Sequence, residues 1–387
     1  MRKTKFPFYV LIPDGETFAF PYILHSLSEI KNFRLIVMST KKDFPLRYSR
    51  YIHRFLFFPE QNDKKEWIDI INKVTEEYGV DLIMPIYETG IKILIEQKSL
   101  LGKNSSKLVS LPSLHDFNVA SNKALLAVHL GQIGLPGPKT APLTLEIINK
   151  EEKLKLNFPV LSKPLKSGSG RGIVKFEDHN SLASHFEIIG LNEPYILQEY
   201  IQGQDYGCNV LCHDGEILAY TIQKGNLWGS RPYSAQIGLD FVYNEDLFQA
   251  VKKLMKSLNW NGVANIDLIF DPKKEVFHIL EINPRFWSSI TASLLAGINF
   301  PKLLIYLSIG EKIEAQNYKR MGYVVLYGLK EYCKKNKVSI YDLGFIWNST
   351  PIRYKIKDPV PLVYEYALKT KKQIAGKIQK LFLRKAV

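Results

Sequence analysis

Val276-Phe277-His278-Ile279-Leu280-Glu281-Ile282-Asn283-Pro284-Arg285 is an apolar run that delivers a carboxylate, an amide and a guanidinium at its end. Period 2 along a strand puts Glu281 and Asn283 on one face, two oxygen donors pointing the same way where the strand stops. By the same alternation His278 turns away from Glu281 and reads as a packed side chain. A second apolar run, residues 263–270, carries Asp267, and Asp271-Pro272-Lys273-Lys274 between the two has turn composition, so together they read as an antiparallel hairpin. If the register sets Asp267 beside Glu281, then Asp267, Glu281 and Asn283 surround one or two Mg²⁺, whose other octahedral positions go to water and phosphate. The competing reading is a surface hairpin with solvated acids.

About a hundred residues upstream, Phe158-Pro159-Val160-Leu161-Ser162-Lys163-Pro164 is followed by Lys166-Ser167-Gly168-Ser169-Gly170-Arg171-Gly172. A strand ending in Lys163 gives way to a glycine-rich loop whose backbone amides can approach phosphate oxygens, with Lys163 and Arg171 supplying charge. The order G-x-x-x-x-G-K-[ST] of a P-loop is absent, and so is a dinucleotide fingerprint before a helix. Alone, such a loop is more often only a mobile hairpin turn.

In this order the segments resemble the ATP-grasp superfamily, and within it the carbamoyl phosphate synthase large-chain-like carboxylate-amine ligases, over nearly the whole chain. The resemblance begins at Ser121-Asn122-Lys123, although the family usually has an acid where Asn122 stands. It implies that Lys123 and Lys163 reach the ATP phosphates under a lid of Ser167, Gly168, Ser169, Gly170, Arg171 and Gly172. Gln198-Glu199-Tyr200-Ile201-Gln202-Gly203-Gln204-Asp205 is similar to the family's nucleotide segment. There the backbone of Glu199, Tyr200 and Ile201 would read adenine and Asp205 would hold the ribose. Asp267, Glu281 and Asn283 match the family's ligands for Mg²⁺ or Mn²⁺, and Arg285 matches the arginine facing the transferred phosphoryl group, with Lys163 also placed in catalysis. The implied reaction joins a small-molecule carboxylate to an amine through an acyl phosphate, releasing ADP and phosphate. A small-molecule kinase and a catalytically silent ATP-binding protein are the alternatives.

The implied architecture is an α/β chain, α+β in its ATP-grasp part. A Rossmann-like pre-ATP-grasp domain spans residues 1–112, a small subdomain with the lid 113–193, a large subdomain with the metal site 194–310, and a C-terminal extension 311–387. The first domain is also readable directly. Apolar runs at residues 8–12, 34–38 and 81–86 alternate with helical patterns such as 67–74, as parallel βαβ units require. Asp14-Gly15-Glu16 and Tyr87-Glu88-Thr89 follow strand ends, where open α/β sheets place ligand contacts, or else they cap helices.

Composition fits a multi-domain enzyme: 387 residues, 46% hydrophobic and 12% aromatic. No run approaches the ~18 apolar residues of a membrane span. The basic start lacks a cleavage pattern and reads as a first strand rather than a signal peptide. Three cysteines without zinc spacing suit a reducing cytoplasm. Of the net charge of +14, seven basic residues and no acid fall in residues 369–385, where Ile374, Ile378, Leu381 and Phe382 recur at helical spacing. This basic amphipathic helix is expected to dock on the protein's own body, with peripheral contact to an inner membrane face as the alternative. Nucleic acid is not an expected partner, since the recognition modules are missing.

Overall fold

The computed structural model describes residues 7–61, 63–165 and 170–385, the side chains of 372 and 374–385 excepted. The chain divides into two compact units, Met1–Val109 with Thr350–Val387, and Ser110–Ser349.

In the first unit β1 (Phe8–Ile12), β2 (Phe33–Ser39), β3 (Ile52–Phe57) and β4 (Leu82–Ile83) form a parallel sheet in the order β3-β2-β1-β4. Leu11, Ile36, Met38 and Ile83 meet Ile68, Ile71 and Val74 of the helix Lys64–Glu77, whose start Asp63 caps through the Lys65 amide. The amphipathic spacing of that helix supplies the apolar stripe that covers one face of the sheet. β3 was not anticipated, because its side chains are half-buried or exposed, none is buried, and they lack a clean apolar alternation.

Asp14 is engaged inside this unit. Its carboxylate accepts the amides of Ile86 at 3.1 Å and Tyr87 at 2.9 Å, tying the loop after β1 to the start of the helix Glu88–Glu96. Burial pushes this carboxyl up to about 7 despite those two donors. Glu16 likewise accepts the Thr40 amide at 3.1 Å.

The second unit holds two sheets. The smaller is antiparallel in the order β5-β8-β6-β7, from β5 (Thr140–Pro142), β6 (Val160–Pro164), β7 (Val174–Phe176) and β8 (Tyr195–Glu199). Because β8 pairs with β5 and β6, this sheet runs to Glu199, past the boundary expected at residue 193. The larger has the order β13-β12-β9-β10-β11-β14, from β9 (Gln204–His213), β10 (Glu216–Trp228), β11 (Gln236–Val242), β12 (Gly262–Asp271), β13 (Val276–Asn283) and β14 (Gly322–Val324).

Alternation splits the larger sheet cleanly. Cys208, Val210, Cys212, Ala264, Ile266, Leu268, Phe277, Ile279 and Ile282 share one face with Leu247, Val251, Leu254 and Met255 of the helix Glu245–Ser257 and with the fully buried Trp260. The opposite face carries Asp205, Gly207, Asn209, Asn265, Asp267, Glu281 and Asn283 as a polar stretch, with the apolar Leu211, Val263 and Ile269 beside it.

The expected single extension 311–387 is divided at Thr350. Its first part belongs to the second unit: β14 pairs with β11, and the Tyr332 hydroxyl donates to Asp240 at 2.8 Å. Its last part belongs to the first unit, where Tyr354 stacks on His25 at 4.7 Å and Tyr364 lies 4.5 Å from Tyr48. The helix Val360–Lys385 is present, with Pro361 buried and Val363 and Tyr366 exposed. The apolar stripe of Ile374, Ile378, Leu381 and Phe382 lies outside the described side chains. Among the described residues no single helix is long and apolar enough to cross a membrane.

Candidate active site

The β12–β13 register pairs Asp267 with Glu281 and Asn265 with Asn283 directly. Between Asp267 and Leu268 the register slips, so that Ile279 pairs with Leu268 and Leu280 is left as the extra residue of a bulge. The slip changes the parity of β13. His278 now pairs with Ile269, opposite the core face of Phe277 and Ile279, on the same side as Glu281. The strict alternation that turned it away therefore fails. His278 is 7% exposed, and neither ring nitrogen has a hydrogen-bond partner among the described residues.

Around the hairpin end the side chains converge. Asn283 Nδ2 donates to Asn265 Oδ1 at 3.0 Å and to Asp267 Oδ2 at 3.1 Å, while its Oδ1 accepts Arg285 Nη2 at 2.9 Å. Arg285 Nη1 donates to the Phe286 carbonyl at 2.9 Å, which folds the guanidinium back against its own strand end. Lys123 Nζ lies 3.0 Å from Glu281 Oε2. Lys123 opens the helix Lys123–Gln132, and Asn122, standing where the family has an acid, caps it by accepting the Ala124 and Leu125 amides. Lys163, on β6 and 7% exposed, donates to Gln198 Oε1 at 2.5 Å; the Gln198 amide in turn donates to Thr140.

The electrostatics are those of a crowded anionic site held by lysines. Burial first, then the neighbouring Glu281, pushes the Asp267 carboxyl well above the usual range. Burial also opposes ionisation of Glu281, but Lys123 and then Lys163 outweigh it and bring that carboxyl down to about 2. Lys163 is itself lowered to about 8 by burial, with Glu281 acting against the fall. Two carboxylates in register and an amide oxygen beside them form an all-oxygen donor set that suits a hard divalent cation, and such an ion would relieve the mutual repulsion that raises Asp267.

At the nucleotide segment, the Glu199 amide bonds the Lys139 carbonyl at 2.9 Å and the Tyr200 amide bonds the Pro159 carbonyl at 3.1 Å. Of the expected backbone readers, Ile201 is the one whose amide has no hydrogen bond among the described residues. Asp205 accepts Trp228 Nε1 at 2.8 Å, and burial raises its carboxyl against that bond. In the lid, Gly170, Arg171 and Gly172 form the turn before β7, while Ser167, Gly168 and Ser169 lie outside the described residues. Gly170 has φ +71°, and a Cβ there would sit 2.0 Å from the Tyr233 carbonyl oxygen. Only glycine fits this close approach.

Sequence reading missed Gln198, Asn209, Asn265 and Gln223 on the same polar surfaces. Asn265 could have been found, since it shares the period-2 face of Asp267 two residues away.

Two sheets of this topology, with Lys123 against an Asp/Glu/Asn cluster on one and Lys163 on a strand of the other ahead of a glycine-rich turn, match the ATP-grasp fold, and this chain has it. Residues 192–330 match the family described as ATP-grasp in the biosynthetic pathway with Ter operon. The carbamoyl phosphate synthase large chain of Caldanaerobacter subterraneus is 24% identical over 265 residues, 65% of this chain and 24% of that protein. The D-aspartate ligase of Enterococcus faecium is 28% identical over 191 residues, 44% of this chain and 45% of that one. The chain thus spans less than half the length of either relative. Among solved structures, N5-carboxyaminoimidazole synthetase from Staphylococcus aureus complexed with ADP has a TM-score of 0.68 at 16% identity, covering 87% of both chains. L-amino acid ligase from Bacillus licheniformis has 0.64 at 17%, covering 84% of this chain and 81% of its own. The resemblance to the ATP-grasp superfamily read from the sequence is borne out.

Proposed function

We propose that the protein is an ATP-dependent ligase that joins a carboxylate to an amine through an acyl phosphate. The observation that carries this is the convergence of Asp267, Glu281 and Asn283 with Lys123 and Arg285 on one polar sheet face. A carboxylate is a poor electrophile, so the γ-phosphoryl group of ATP is first transferred to it. Attack by the amine then expels phosphate. Asp267, Glu281 and Asn283 would hold Mg²⁺ or Mn²⁺, which when bound neutralises charge developing on the phosphates.

The chain's own groups do the rest. Lys123 and Lys163 hold the phosphates, and Arg285 leaves the Phe286 carbonyl to meet the transferred group and the tetrahedral oxyanion. The Ile201 amide reads adenine, and Asp205 turns from Trp228 to the ribose. The lid around Gly170 excludes water, which would otherwise hydrolyse the acyl phosphate.

The names of two relatives, a D-aspartate ligase and an L-amino acid ligase, make amino acids the first substrates to test on either side of the new bond. We read the basic segment 369–385 as docked on the protein's own body; the buried Pro361 and the Tyr364–Tyr48 contact hold the turns that lead into it. The decisive experiment is a screen of paired carboxylates and amines for ADP release, with mass spectrometry of the product. ADP release that needs both partners and yields an amide supports the ligase. Release with one partner and accumulation of a phosphorylated product would make the protein a kinase.

A further inference from the structure

We infer that Asn209 and Asn265 are positioning residues that lock the Asn283 amide with its oxygen outward, through a one-way hydrogen-bonded ladder across four strands. The inference rests on the reading of Asn283 as a cation ligand and adds what sets its orientation.

The register places Asn283, Asn265, Asn209 and Thr221 side by side on β13, β12, β9 and β10. Their side chains are joined in the same order. Asn283 Nδ2 donates to Asn265 Oδ1, Asn265 Nδ2 to Asn209 Oδ1, and Asn209 Nδ2 to Thr221 Oγ1, each at 3.0 Å. Beyond Thr221 the Ser293 hydroxyl follows at 3.3 Å, and Asn209 Nδ2 also reaches Gln223 Oε1 at 3.4 Å, an oxygen that Ser289 bonds at 2.9 Å. Asn209, Thr221 and Ser293 are fully buried. Ser289 and Ser293 lie at the helix Ile290–Ala296 just beyond Arg285, so the ladder leaves the strand end at Asn283 and returns a few residues later.

The ladder has a sense. A guanidinium only donates, so the Asn283 atom facing Arg285 is the oxygen. Its NH₂ then faces Asn265, which must present oxygen, and so on to Thr221. Every rung is satisfied in this sense, and reversing one rung would set two NH₂ groups or two oxygens against each other in a buried site.

In the structure as it stands, Asp267 and Arg285 also favour this orientation of Asn283. During the reaction both are called elsewhere: the Asp267 oxygens to the cation and the Arg285 guanidinium to the transferred group. Asn265 is the neighbour that stays, Asn209 holds it in turn, and since the Thr221 hydroxyl can donate or accept, the Gln223 Oε1 that faces Asn209 Nδ2 and accepts from Ser289 is what opposes reversal of the whole ladder. An amide turned the other way would present NH₂ instead of a ligand oxygen, so the ladder removes a wrong state that Asn283 would otherwise populate.

The test is Mg²⁺-dependent ADP binding by the full chain, measured by calorimetry with Mg²⁺ and ADP as the probes, so no turnover is needed. Asn209→Leu keeps the shape and removes the acceptor for Asn265; Asn209→Asp keeps that acceptor, and Thr221 can donate to it. Asn209→Leu should raise the Mg²⁺ half-saturation about tenfold, leave ADP affinity without Mg²⁺ within about twofold, and be rescued to within about threefold by Asn209→Asp. Thr221→Val, a cut one rung further out at nearly constant volume, should move half-saturation the same way by about threefold. Parental Mg²⁺ dependence in Asn209→Leu, equal loss in Asn209→Leu and Asn209→Asp, or no movement in Thr221→Val would overturn the ladder, the last even if Asn209→Leu does not fold. Absence of any Mg²⁺ effect in the parent would instead overturn the site reading, and this inference with it.

Discussion

Replacing Lys163 by Met tests the nucleotide site most directly, because the lysine is buried and its local bonds are few. Its ammonium donates to Gln198 Oε1 at 2.5 Å, and burial lowers it to about 8 while Glu281 pulls it upward. A charge-assisted hydrogen bond to phosphate contributes roughly 1.5–3 kcal/mol, so its loss should weaken ADP about 10- to 150-fold. Adenosine, which lacks the phosphates, should bind within about twofold of the parent. The pH dependence has a definite sign. The lysine is charged below its folded value and neutral above it, so in metal-free buffer parental ADP affinity is flat below about pH 8 and falls about tenfold by pH 9 as the cation is lost. Lys163→Met has no such proton to lose and should be flat over that step. Calorimetry of ADP and adenosine at pH 7 and pH 9, with thermal unfolding to confirm the fold, measures all of this. Equal weakening of ADP and adenosine, or parental ADP affinity that does not fall between pH 7 and 9, would refute a phosphate role and leave Lys163 a structural residue.

Glu281→Ala should lower ADP formation by several orders of magnitude with the fold intact, since a group acting on transition-state charge is removed; near-parental turnover in a coupled ADP assay would sink the metal-site assignment. Gly170→Ala forces a side chain into φ +71° and onto the Tyr233 carbonyl, so ATP should bind roughly tenfold more weakly while adenosine is unaffected, and calorimetry of the two ligands decides. Asp14 has a folded value near 7, above its unfolded one, so the folded state keeps its proton longer and stability falls as pH rises from about 4 to 7, by up to roughly 1.4 kcal/mol per unit. Asp14→Asn should lose that slope in urea unfolding at pH 5 and 7. Removing residues 369–387 should leave binding to anionic vesicles unchanged if the helix only docks; salt-sensitive vesicle binding that vanishes with the tail would move the protein to a membrane surface.

The features legible in the sequence and those that were not divide along sequence distance. Glu281 and Asn283 were legible because they sit two residues apart on one strand, and Asp267 because a short turn folds its run back onto them. Lys123 and Lys163 are local features of a helix start and a strand end. His278 was misplaced by a purely local rule, because alternation holds only while no residue is extra, and nothing in the letters around Leu280 announces the bulge. Asn209 lies far from both Asn265 and Asn283 in the chain, and its place beside Asn265 follows only from β9 sitting between β12 and β10. The boundary at residue 193 erred for a related reason: β8 reads as an opening strand of the larger sheet, whose β9 comes directly after it, yet its partners β5 and β6 precede it.

The larger sheet shows how one set of strands serves both stability and chemistry. On β9 the apolar Cys208, Val210 and Cys212 face the helix Glu245–Ser257, while Asp205, Gly207 and Asn209 face the site, residue by residue in alternation. A polar residue added to the core face would be buried without a partner, and an apolar one on the site face would break a rung, so each position is constrained by its parity. Gly207 is the informative exception in the row Glu281, Asp267, Gly207, Gln223. A Cβ there would come within 3.0 Å of Gln223 Nε2, so the missing side chain is what lets Gln223 lie across β9 on this face. The row beside it, from Asn283 to Thr221, is filled and fully bonded. One row is thus a chain of amide and hydroxyl side chains and the next pairs two acids with a glycine that makes room for Gln223, and a single period of the strand alternation separates the two arrangements.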